Sequence, residues 1–205
     1  MASMTPSILF VCTGNICRSA MAEGFLRRAL DRRFGPDGPL VVSCGAWGWE
    51  GSPAVGEAVA AAAEREVDIR GHVGQRLEPG LVLPAVLVVG MTAEHRDAVT
   101  AMVPHAASKT FTLKEVARLL EALPEPAAGK GFEPAGVGAR VAQADTLRRS
   151  GFAGNPLDED IVDPLGMPID TFRAIAWEID ELCERLAGGL FGSEPVPTEA
   201  KEEEA

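Results

Sequence analysis

The sequence predicts one α/β domain built on an open four-stranded parallel sheet with helices on both faces. Short β-branched and apolar runs alternate along the chain with longer amphipathic or alanine-rich segments, which is the order of a βαβ fold. The run 85–89 is apolar throughout, as expected for a parallel strand that is covered on both faces. A chain of 205 residues is long enough to bury the core of one such domain, whereas two domains would be crowded.

Each predicted element rests on its periodicity and on the signals at its ends. Gly35-Pro36 ends the first helix, Pro53 lies near the first turn of the second, and Thr92 suits the N-cap of the third. Gly188-Gly189 follows the last helix, as a terminating signal would. The predicted strands span 8–11, 40–44, 85–89 and 109–112. The predicted helices span 20–34, 53–67, 92–102, 113–123 and 170–186.

Two parts of the chain depart from this pattern. We expect the domain to occupy residues 5–191 and to carry a Pro/Gly/Ala-rich insertion at about 124–158. The insertion has one helix-like patch at 137–149, and we interpret it as a partly mobile excursion because long irregular segments are uncommon inside compact domains. Residues 192–205 are rich in glutamate and are predicted to form a disordered acidic tail.

The stretch 7–19 carries the clearest chemical signal. Cys12 ends the first predicted strand, and Ser19 opens the helix that follows. In an open parallel sheet, ligands bind beyond the carboxyl ends of the strands, which is where Cys12 lies. The intervening loop would curl around one point with its N–H groups inward, and the helix N-terminus adds partial positive charge. This arrangement suits a bound phosphate, and it favours the thiolate form of a cysteine at its centre.

Individual loop residues fit this interpretation. Arg18 offers a planar guanidinium that matches two phosphoryl oxygens. Gly14 permits backbone angles that a side chain would resist, and Asn15 suits a hydrogen bond that ties the loop to itself. Ser19 can donate a hydrogen bond to the thiolate. The alternative is a structural cysteine at a strand end with an exposed Arg18, which a single short motif does not exclude.

Composition limits the classes of function. A net charge of −11 argues against general binding to nucleic acid or to an anionic membrane. The four cysteines, at 12, 17, 44 and 183, show no zinc-type spacing beyond the pair Cys12 and Cys17, and we predict neither a metal nor a cofactor. The N-terminus lacks the basic region of a secretory signal, so we expect a cytoplasmic protein with reduced thiols.

Several motifs together resemble the low-molecular-weight protein tyrosine phosphatases. The most specific is Cys12-Thr-Gly-Asn-Ile-Cys-Arg-Ser19, which Ala20-Met-Ala-Glu23 follows. Ser43-Cys-Gly45, the segment 67–72 and Asp163-Pro164 also match that family, each more weakly. The resemblance covers about 7–123 and 160–190, and it implies a flavodoxin-like fold of the phosphotyrosine phosphatase I type.

This resemblance implies a metal-independent cysteine phosphatase that works through a phosphocysteine intermediate. The resemblance makes Asp163, in the chain's only Asp-Pro pair, the acid that would protonate the leaving group, and its proline favours an extended backbone that could aim the side chain. From the residues alone, Asp163 could equally be a plain turn or helix-entry residue, and Asp158 and Asp160 are nearby acids that no proline follows. Leu165-Gly166 then departs from the aromatic residue that family members often carry after this pair. The expected site consists of catalytic Cys12, Arg18 and Asp163, phosphate-binding Thr13, Gly14, Asn15, Ile16, Cys17 and Ser19, and pocket residues Trp49 and Trp47.

Two of these residues bear on regulation and substrate. Cys17 is expected either as a redox partner that forms a reversible disulfide with Cys12, or as a small buried loop residue. Ile16 stands where the phosphoarginine-directed branch of the family carries threonine, so the expected substrates are phosphotyrosine in proteins and small aryl phosphates.

Other functions and roles remain open at this point. One rival is a thioredoxin- or thiol-coupled arsenate reductase, although Cys44 and Cys183 form no closely spaced pair for a disulfide relay. Another is a non-catalytic, oxyanion-binding pseudophosphatase. The histidines show no partner pattern and are assigned to structure or surface; they are His72, His95 and His105.

Overall fold

A computed structural model describes residues 7–126, 134–152 and 159–192. Its four strands form one parallel sheet in the order β2-β1-β3-β4, which confirms the predicted sheet. The strands are β1 (Ser7–Cys12), β2 (Leu40–Gly45), β3 (Ala85–Gly90) and β4 (Thr110–Thr112). Strand β2 lies on one side of β1 and β3 on the other, so the strand order reverses at β1. The carboxyl end of β1 is therefore the topological switch point of the sheet.

Helices cover both faces of this sheet. Alternate residues of β1 point to opposite faces: Ile8 and Phe10 belong to the larger core cluster, and Leu9 and Val11 to the smaller one. The larger cluster includes residues of α1, α2, α5, α6 and α7, and the smaller one packs under α3 and α4. The helices are α1 (Arg18–Phe34), α2 (Gly56–Ala63), α3 (Pro79–Val82), α4 (Ala93–Met102), α5 (Leu113–Glu121), α6 (Pro134–Arg149) and α7 (Ile169–Phe191).

Helix α2 is shorter than predicted at both ends. It begins at Gly56, because Val55 is extended (ψ 150°) and uses its N–H to bond the Ile16 carbonyl at 3.0 Å. The segment that begins at Pro53 is therefore a brace for the loop after β1 and not a helical turn. Beyond Ala63 the chain turns, and Glu66 adopts a positive φ of 62° that no helix contains.

Helix α7 is longer than predicted, because Gly188 and Gly189 lie inside it. The reason is packing: a Cβ on Gly189 would stand 2.7 Å from the Cβ of Leu120, so α5 and α7 approach each other closely at this glycine. The pair was predicted to follow the helix as a stop signal, and that prediction is wrong. The predicted N-cap of α4 is confirmed, since the Thr92 hydroxyl accepts the His95 N–H.

The helix-like patch of the predicted insertion is a 16-residue helix, α6. Val137, Val141 and Ala144 are buried in the larger core cluster, so residues 134–149 are not an excursion. The Arg140 guanidinium adds a tie, because it donates to the Gly189 carbonyl at 2.8 Å. The rest of the insertion at 127–133 and 153–158, and the predicted tail beyond 192, lie outside the described residues.

No helix of the described ranges combines the length and the apolar character that crossing a bilayer requires.

Candidate active site

The loop between β1 and α1 turns its backbone carbonyls away from its centre. Each of six consecutive carbonyls accepts a hydrogen bond from the surrounding scaffold or the next helix: Cys12 from Ala46 N (2.8 Å), Thr13 from Trp47 N (3.0 Å), Gly14 from Trp49 N (3.4 Å), Asn15 from His72 Nε2 (2.6 Å), Ile16 from Val55 N (3.0 Å) and Cys17 from Met21 N (3.0 Å). In a trans peptide the N–H points opposite to the carbonyl. The N–H groups of the loop therefore face its centre, which makes a concave anion-binding nest at a helix N-terminus.

Close contact between β2 and this loop depends on Gly45. A Cβ there would stand 2.9 Å from the Gly14 carbonyl carbon and 2.9 Å from the Thr13 oxygen. The end of β2 can thus press directly against the loop backbone and hold its curvature.

The Cys12 sulfur lies inside the nest and is almost fully buried. The Ser19 hydroxyl is 2.9 Å from Sγ, and the Asn15 N–H donates to it at 3.3 Å. Ser19 Oγ also accepts from Asn15 Nδ2 at 2.9 Å, so its own proton is free to point at the sulfur. Two hydrogen-bond donors therefore point at the one sulfur.

A polar chain beneath the loop fixes these donors. Asn15 is fully buried in the left-handed region (φ 59°), and its Oδ1 accepts the Gln75 N–H at 2.8 Å. Its Nδ2 donates to Ser43 Oγ at 2.8 Å, and Ser43 in turn donates to the Glu23 carboxylate at 2.6 Å. The Ser43 proton goes to Glu23, so Ser43 Oγ accepts from the Asn15 amide. Ser19 Oγ also accepts from that amide, which leaves the Ser19 proton for Cys12.

His72 is a loop-bracing residue that the sequence did not reveal. Its Nε2 bonds the Asn15 carbonyl at 2.6 Å, and because a carbonyl only accepts, Nε2 carries the proton. Glu23 Oε2 lies 4.0 Å from the other ring nitrogen. The segment 67–72 resembles a motif of the family, but the sequence does not indicate which backbone group His72 contacts.

Arg18 joins the nest to the loop that carries Asp163. Its guanidinium donates to the Ile161 carbonyl at 2.9 Å, to Thr13 Oγ1 at 3.1 Å and to Asp163 Oδ2 at 2.5 Å. Within the described part of the chain, the Nε of this buried arginine has no hydrogen-bond partner. An oxyanion in the nest would supply the acceptor that this N–H lacks.

Short backbone and side-chain bonds hold the loop of Asp163 in place. The Ile161 N–H bonds the Met91 carbonyl at 2.8 Å, at the end of β3. Asp160 accepts the Ala93 N–H at 2.7 Å, at the start of α4. Asp163 itself is 43% exposed on its side chain, and its second oxygen accepts the Leu165 N–H at 3.2 Å. The Asp-Pro carboxylate is thus presented at the surface of a well-anchored loop.

His95 is a second residue that sequence reasoning assigned to structure or surface. Its ring bonds the Thr13 hydroxyl at 3.1 Å and the Thr92 hydroxyl at 2.7 Å, and it lies 5.9 Å from the Trp47 ring. Burial, and next the charge of Arg18, lower the pKa of His95 to about 4. The imidazole is therefore neutral at pH 7. It contacts the Thr13 hydroxyl, which also accepts a hydrogen bond from Arg18.

The predicted residues meet in one small pocket of about 120 Å³. Asn15 and Ser19 lie beneath it, and every other predicted site residue lines it. Trp47 and Trp49 form one side and are about half exposed, while Leu165 stands where the family's aromatic residue was expected. The lining consists of Cys12, Thr13, Gly14, Ile16, Cys17, Arg18, Trp47, Trp49, Asp163 and Leu165.

The remaining cysteines differ from Cys12 in their surroundings. Cys17 lines the pocket but is nearly inaccessible, and burial, followed by the charge of Cys12, raises its pKa to about 12. Cys44 and Cys183 are fully buried away from the pocket, and burial raises the pKa of both thiols. Neither can relay a disulfide to the surface from such a position. Disulfide formation between Cys17 and Cys12 stays a prediction.

In the ranges 7–126, 134–152 and 159–192, no group of three or more His, Cys, Asp or Glu residues is arranged to hold a metal ion.

Similarity to known proteins agrees with this geometry. Residues 7–134 match the family model for the low molecular weight phosphotyrosine protein phosphatases. A protein-arginine-phosphatase of Geobacillus stearothermophilus is 32% identical over 183 residues, which are 89% of this chain and 95% of the relative. The low molecular weight protein-tyrosine-phosphatase Etp of Escherichia coli K12 is 39% identical over 105 residues, 51% of this chain and 67% of Etp.

Solved structures point the same way. The YwlE arginine phosphatase of Geobacillus stearothermophilus superposes with a TM-score of 0.66 at 30% identity, covering 90% of this chain and 92% of its own. A low molecular weight protein tyrosine phosphatase of T. tengcongensis gives 0.65 at 29% identity, covering 90% and 99%. A family model that matches well over half of the chain, together with relatives that align along nearly its whole length, establishes the relationship. The chain belongs to the low molecular weight phosphotyrosine protein phosphatase family.

Proposed function

We propose that this protein is a metal-independent protein-tyrosine phosphatase that uses Cys12 as its nucleophile. The observation that carries the proposal is the Cys12 sulfur in its nest, with the Ser19 hydroxyl at 2.9 Å and the Asn15 N–H at 3.3 Å. These donors stabilise a thiolate at the point where the inward N–H groups would bind a phosphoryl group. Nucleophile and oxyanion donors therefore converge on one phosphoryl group of a substrate.

In the first step, the Cys12 thiolate attacks phosphorus and the bond from phosphorus to the aryl oxygen breaks. Asp163, in its protonated form, gives its proton to the departing oxygen, so a neutral phenol leaves. The Arg18 guanidinium and the loop N–H groups hold the equatorial oxygens as charge develops on them. A dianionic phosphoryl group competes with Asp163 for Arg18, which frees the carboxyl group for proton transfer.

In the second step, a water molecule attacks the phosphocysteine. The Asp163 carboxylate takes a proton from that water, the bond between sulfur and phosphorus breaks, and inorganic phosphate leaves with Cys12 restored as thiolate. The solved structure of a related protein supports such an intermediate: it is a Cys-to-Ser mutant of the YwlE arginine phosphatase with a phosphorylated active-site serine. That protein is 27% identical to this chain.

The character of the pocket wall favours an aryl ester. The side chains of Ile16 and Trp49 approach the place of a Cβ on Gly14 at 3.4 and 3.6 Å, so the three residues form one apolar surface. A flat aryl ring has no polar group that must leave water when it packs on such a surface. A phosphoarginine side chain would instead bury a guanidinium group that needs hydrogen-bond acceptors. Asp163 is the one acid of the pocket lining, and the Thr13 hydroxyl already serves Arg18 and His95.

The first experiment measures hydrolysis of p-nitrophenyl phosphate by the reduced protein in the presence of EDTA. We expect Cys12→Ser to abolish turnover, because its hydroxyl is a far weaker nucleophile than a thiolate. Asp163→Asn should lower kcat by a factor of about 10²–10⁴, the usual contribution of a general acid. Asp160→Asn is the matched control, since an amide oxygen can still accept the Ala93 N–H, and it should retain wild-type kcat. Wild-type protein that is folded, reduced and inactive would refute the proposal.

A second experiment addresses specificity between phosphotyrosine and phosphoarginine, since relatives named for each activity are similar to this chain. The wild type should prefer a phosphotyrosine peptide to a phosphoarginine peptide in kcat/KM. Ile16→Thr should shift the ratio toward phosphoarginine by about five- to tenfold, the value of one added hydrogen bond. A wild-type preference for phosphoarginine would assign the arginine-phosphatase function instead.

The rival functions fit the site less well. A disulfide-relay arsenate reductase needs further accessible cysteines, and Cys44 and Cys183 are buried in the core. A pseudophosphatase does not need the complete set of nucleophile, guanidinium and acid that lines this pocket. Because the nucleophile acts only as a reduced thiol, we place the activity in the cytoplasm, a reducing compartment.

A further inference from the structure

We propose that an apolar rim around the pocket binds apolar side chains that flank the phosphotyrosine of a protein substrate. The inference rests on the proposed function and adds the class of sequence that the site prefers. The apolar rim consists of Trp47, Trp49, Val162, Leu165 and Met167. Its occupant is an extended substrate segment with aliphatic or aromatic residues on either side of the phosphorylated residue.

Exposure singles out this surface. The five rim side chains are between 45% and 59% exposed, although large apolar residues are normally buried. They account for five of the eleven large apolar residues that are exposed in the described ranges. Scattered apolar residues need no explanation, whereas several on two loops that border a binding pocket indicate a recognition surface.

The rim is continuous with the pocket. Trp47, Trp49 and Leu165 line the pocket with one part of their surface and face solvent with another. Val162 directly precedes Asp163, and the Met167 N–H bonds the Pro164 carbonyl at 2.9 Å, which keeps Met167 on the turn that carries the acid. Two loops, 46–52 and 161–168, thus carry exposed apolar side chains, three of which line the pocket and two of which lie on the segment that carries Asp163.

The size of the pocket determines what lies on the rim. A volume of about 120 Å³ is small beside a peptide, so the pocket takes the phosphorylated end of a side chain. The backbone and the neighbouring side chains of a protein substrate must therefore rest at the pocket mouth, where the rim is what they meet. Covering this surface removes apolar area of both partners from water.

The charges of the two loops disfavour a substrate with acidic flanks. Glu50 and Asp163 are the only charged residues in the two loops, and both are acidic. An acidic flank would meet no cation there, and it would approach a chain whose net charge is −11. We therefore expect acidic flanks to be the least favoured.

The experiment compares three phosphotyrosine peptides of equal length, with apolar, basic or acidic flanks, and p-nitrophenyl phosphate as a substrate without flanks. For the wild type, kcat/KM should be about tenfold higher on the apolar-flanked peptide than on the acidic one, as expected for covering two or three half-exposed side chains. The double variant Val162→Ser/Met167→Ser should lose about fivefold on the apolar-flanked peptide and stay unchanged on p-nitrophenyl phosphate. Met102→Ser is the matched control, because Met102 is 43% exposed on α4 and outside both loops.

Every outcome of these assays either supports or overturns the rim assignment. Equal kcat/KM on all three peptides, or a preference for basic or acidic flanks, would overturn the rim assignment while leaving the phosphatase intact. An equal loss in the Met102→Ser control would do the same. Absence of p-nitrophenyl phosphate turnover in the wild type would instead count against the proposed function itself.

Discussion

Two adjacent glycines in α7 provide a sharp test of the packing between α5 and α7. Gly188 has nothing within 4 Å of the position that a Cβ would take, whereas a Cβ on Gly189 would stand 2.7 Å from Leu120 Cβ. Both residues lie in a helix, so Ala in place of either gains helix propensity. The same substitution at neighbouring positions should therefore have opposite effects on stability.

The magnitudes follow from these distances. Ala is favoured over Gly by up to about 1 kcal/mol inside a helix, and about half of that is expected near the last turn, where Gly188 lies. Gly188→Ala should thus raise the free energy of unfolding by about 0.5 kcal/mol. At Gly189 the contact atom is a Cβ fixed to the backbone of α5, so the helices must separate, and overpacking typically costs about 1–3 kcal/mol. Gly189→Ala should lower the free energy of unfolding by about 1–2 kcal/mol after the propensity gain.

Urea unfolding followed by circular dichroism measures both values, and thermal unfolding provides a check. For a protein of this size, Gly189→Ala should lower Tm by about 2–8 °C, while Gly188→Ala raises it by about 1–2 °C. The proposed aryl phosphatase activity should be retained at low temperature in both variants, because neither glycine lines the pocket. Equal shifts of the same sign for the two substitutions would show that the close approach of α5 and α7 does not exist.

Three further predictions concern groups whose roles appeared only in the structure. The pKa of His95 is about 4 in the folded state and about 6.5 in the unfolded state. Between these pH values the unfolded state binds one more proton than the folded state. The free energy of unfolding should therefore fall by on the order of 3 kcal/mol as the pH drops from 6.5 to 4. This part of the pH dependence should vanish in His95→Gln and persist in the exposed His105→Gln, as measured by urea unfolding at each pH; a wild-type slope in His95→Gln would contradict the assignment. Ser43→Ala should cost about 1–3 kcal/mol and lower the turnover of aryl phosphate, because one buried Asn15 N–H loses its acceptor; unchanged stability and turnover would mean that the polar chain below the loop is dispensable. Val141→Ala should lower the free energy of unfolding by about 2 kcal/mol, because its side chain is buried. Ala139→Ser, on the exposed side of α6, should change it by no more than about 0.5 kcal/mol. Equal effects of the two substitutions would place α6 outside the core.

The predictable part of this protein is the part that local sequence encodes. The strand, loop and helix around Cys12 follow one another within a few residues, so their order, the inward turn of the loop and the place of Arg18 were all available from the pattern. The parallel sheet was equally accessible, because its two central strands are almost entirely apolar. The acid at Asp163 required more, since the fold alone brings it to Arg18 from 145 residues away.

What the sequence did not reveal depends on contacts between distant segments. His72, His95 and Ser43 come from three separate parts of the chain, and each is defined by the loop atom that it meets. An isolated histidine or serine carries no local sign of such a partner. Gly189 illustrates the same limit, because a glycine that stops a helix and a glycine that admits a neighbouring helix are identical in sequence.

The tryptophans beside the pocket also make this protein its own optical reporter. The chain contains three tryptophans and no tyrosine, so its near-ultraviolet emission comes almost entirely from Trp47, Trp49 and Trp177. Two of these line the pocket, and the third is exposed on α7. Replacing Trp177 with phenylalanine would leave fluorescence from the pocket alone, so occupancy by an oxyanion or a substrate could be followed in real time without any attached dye.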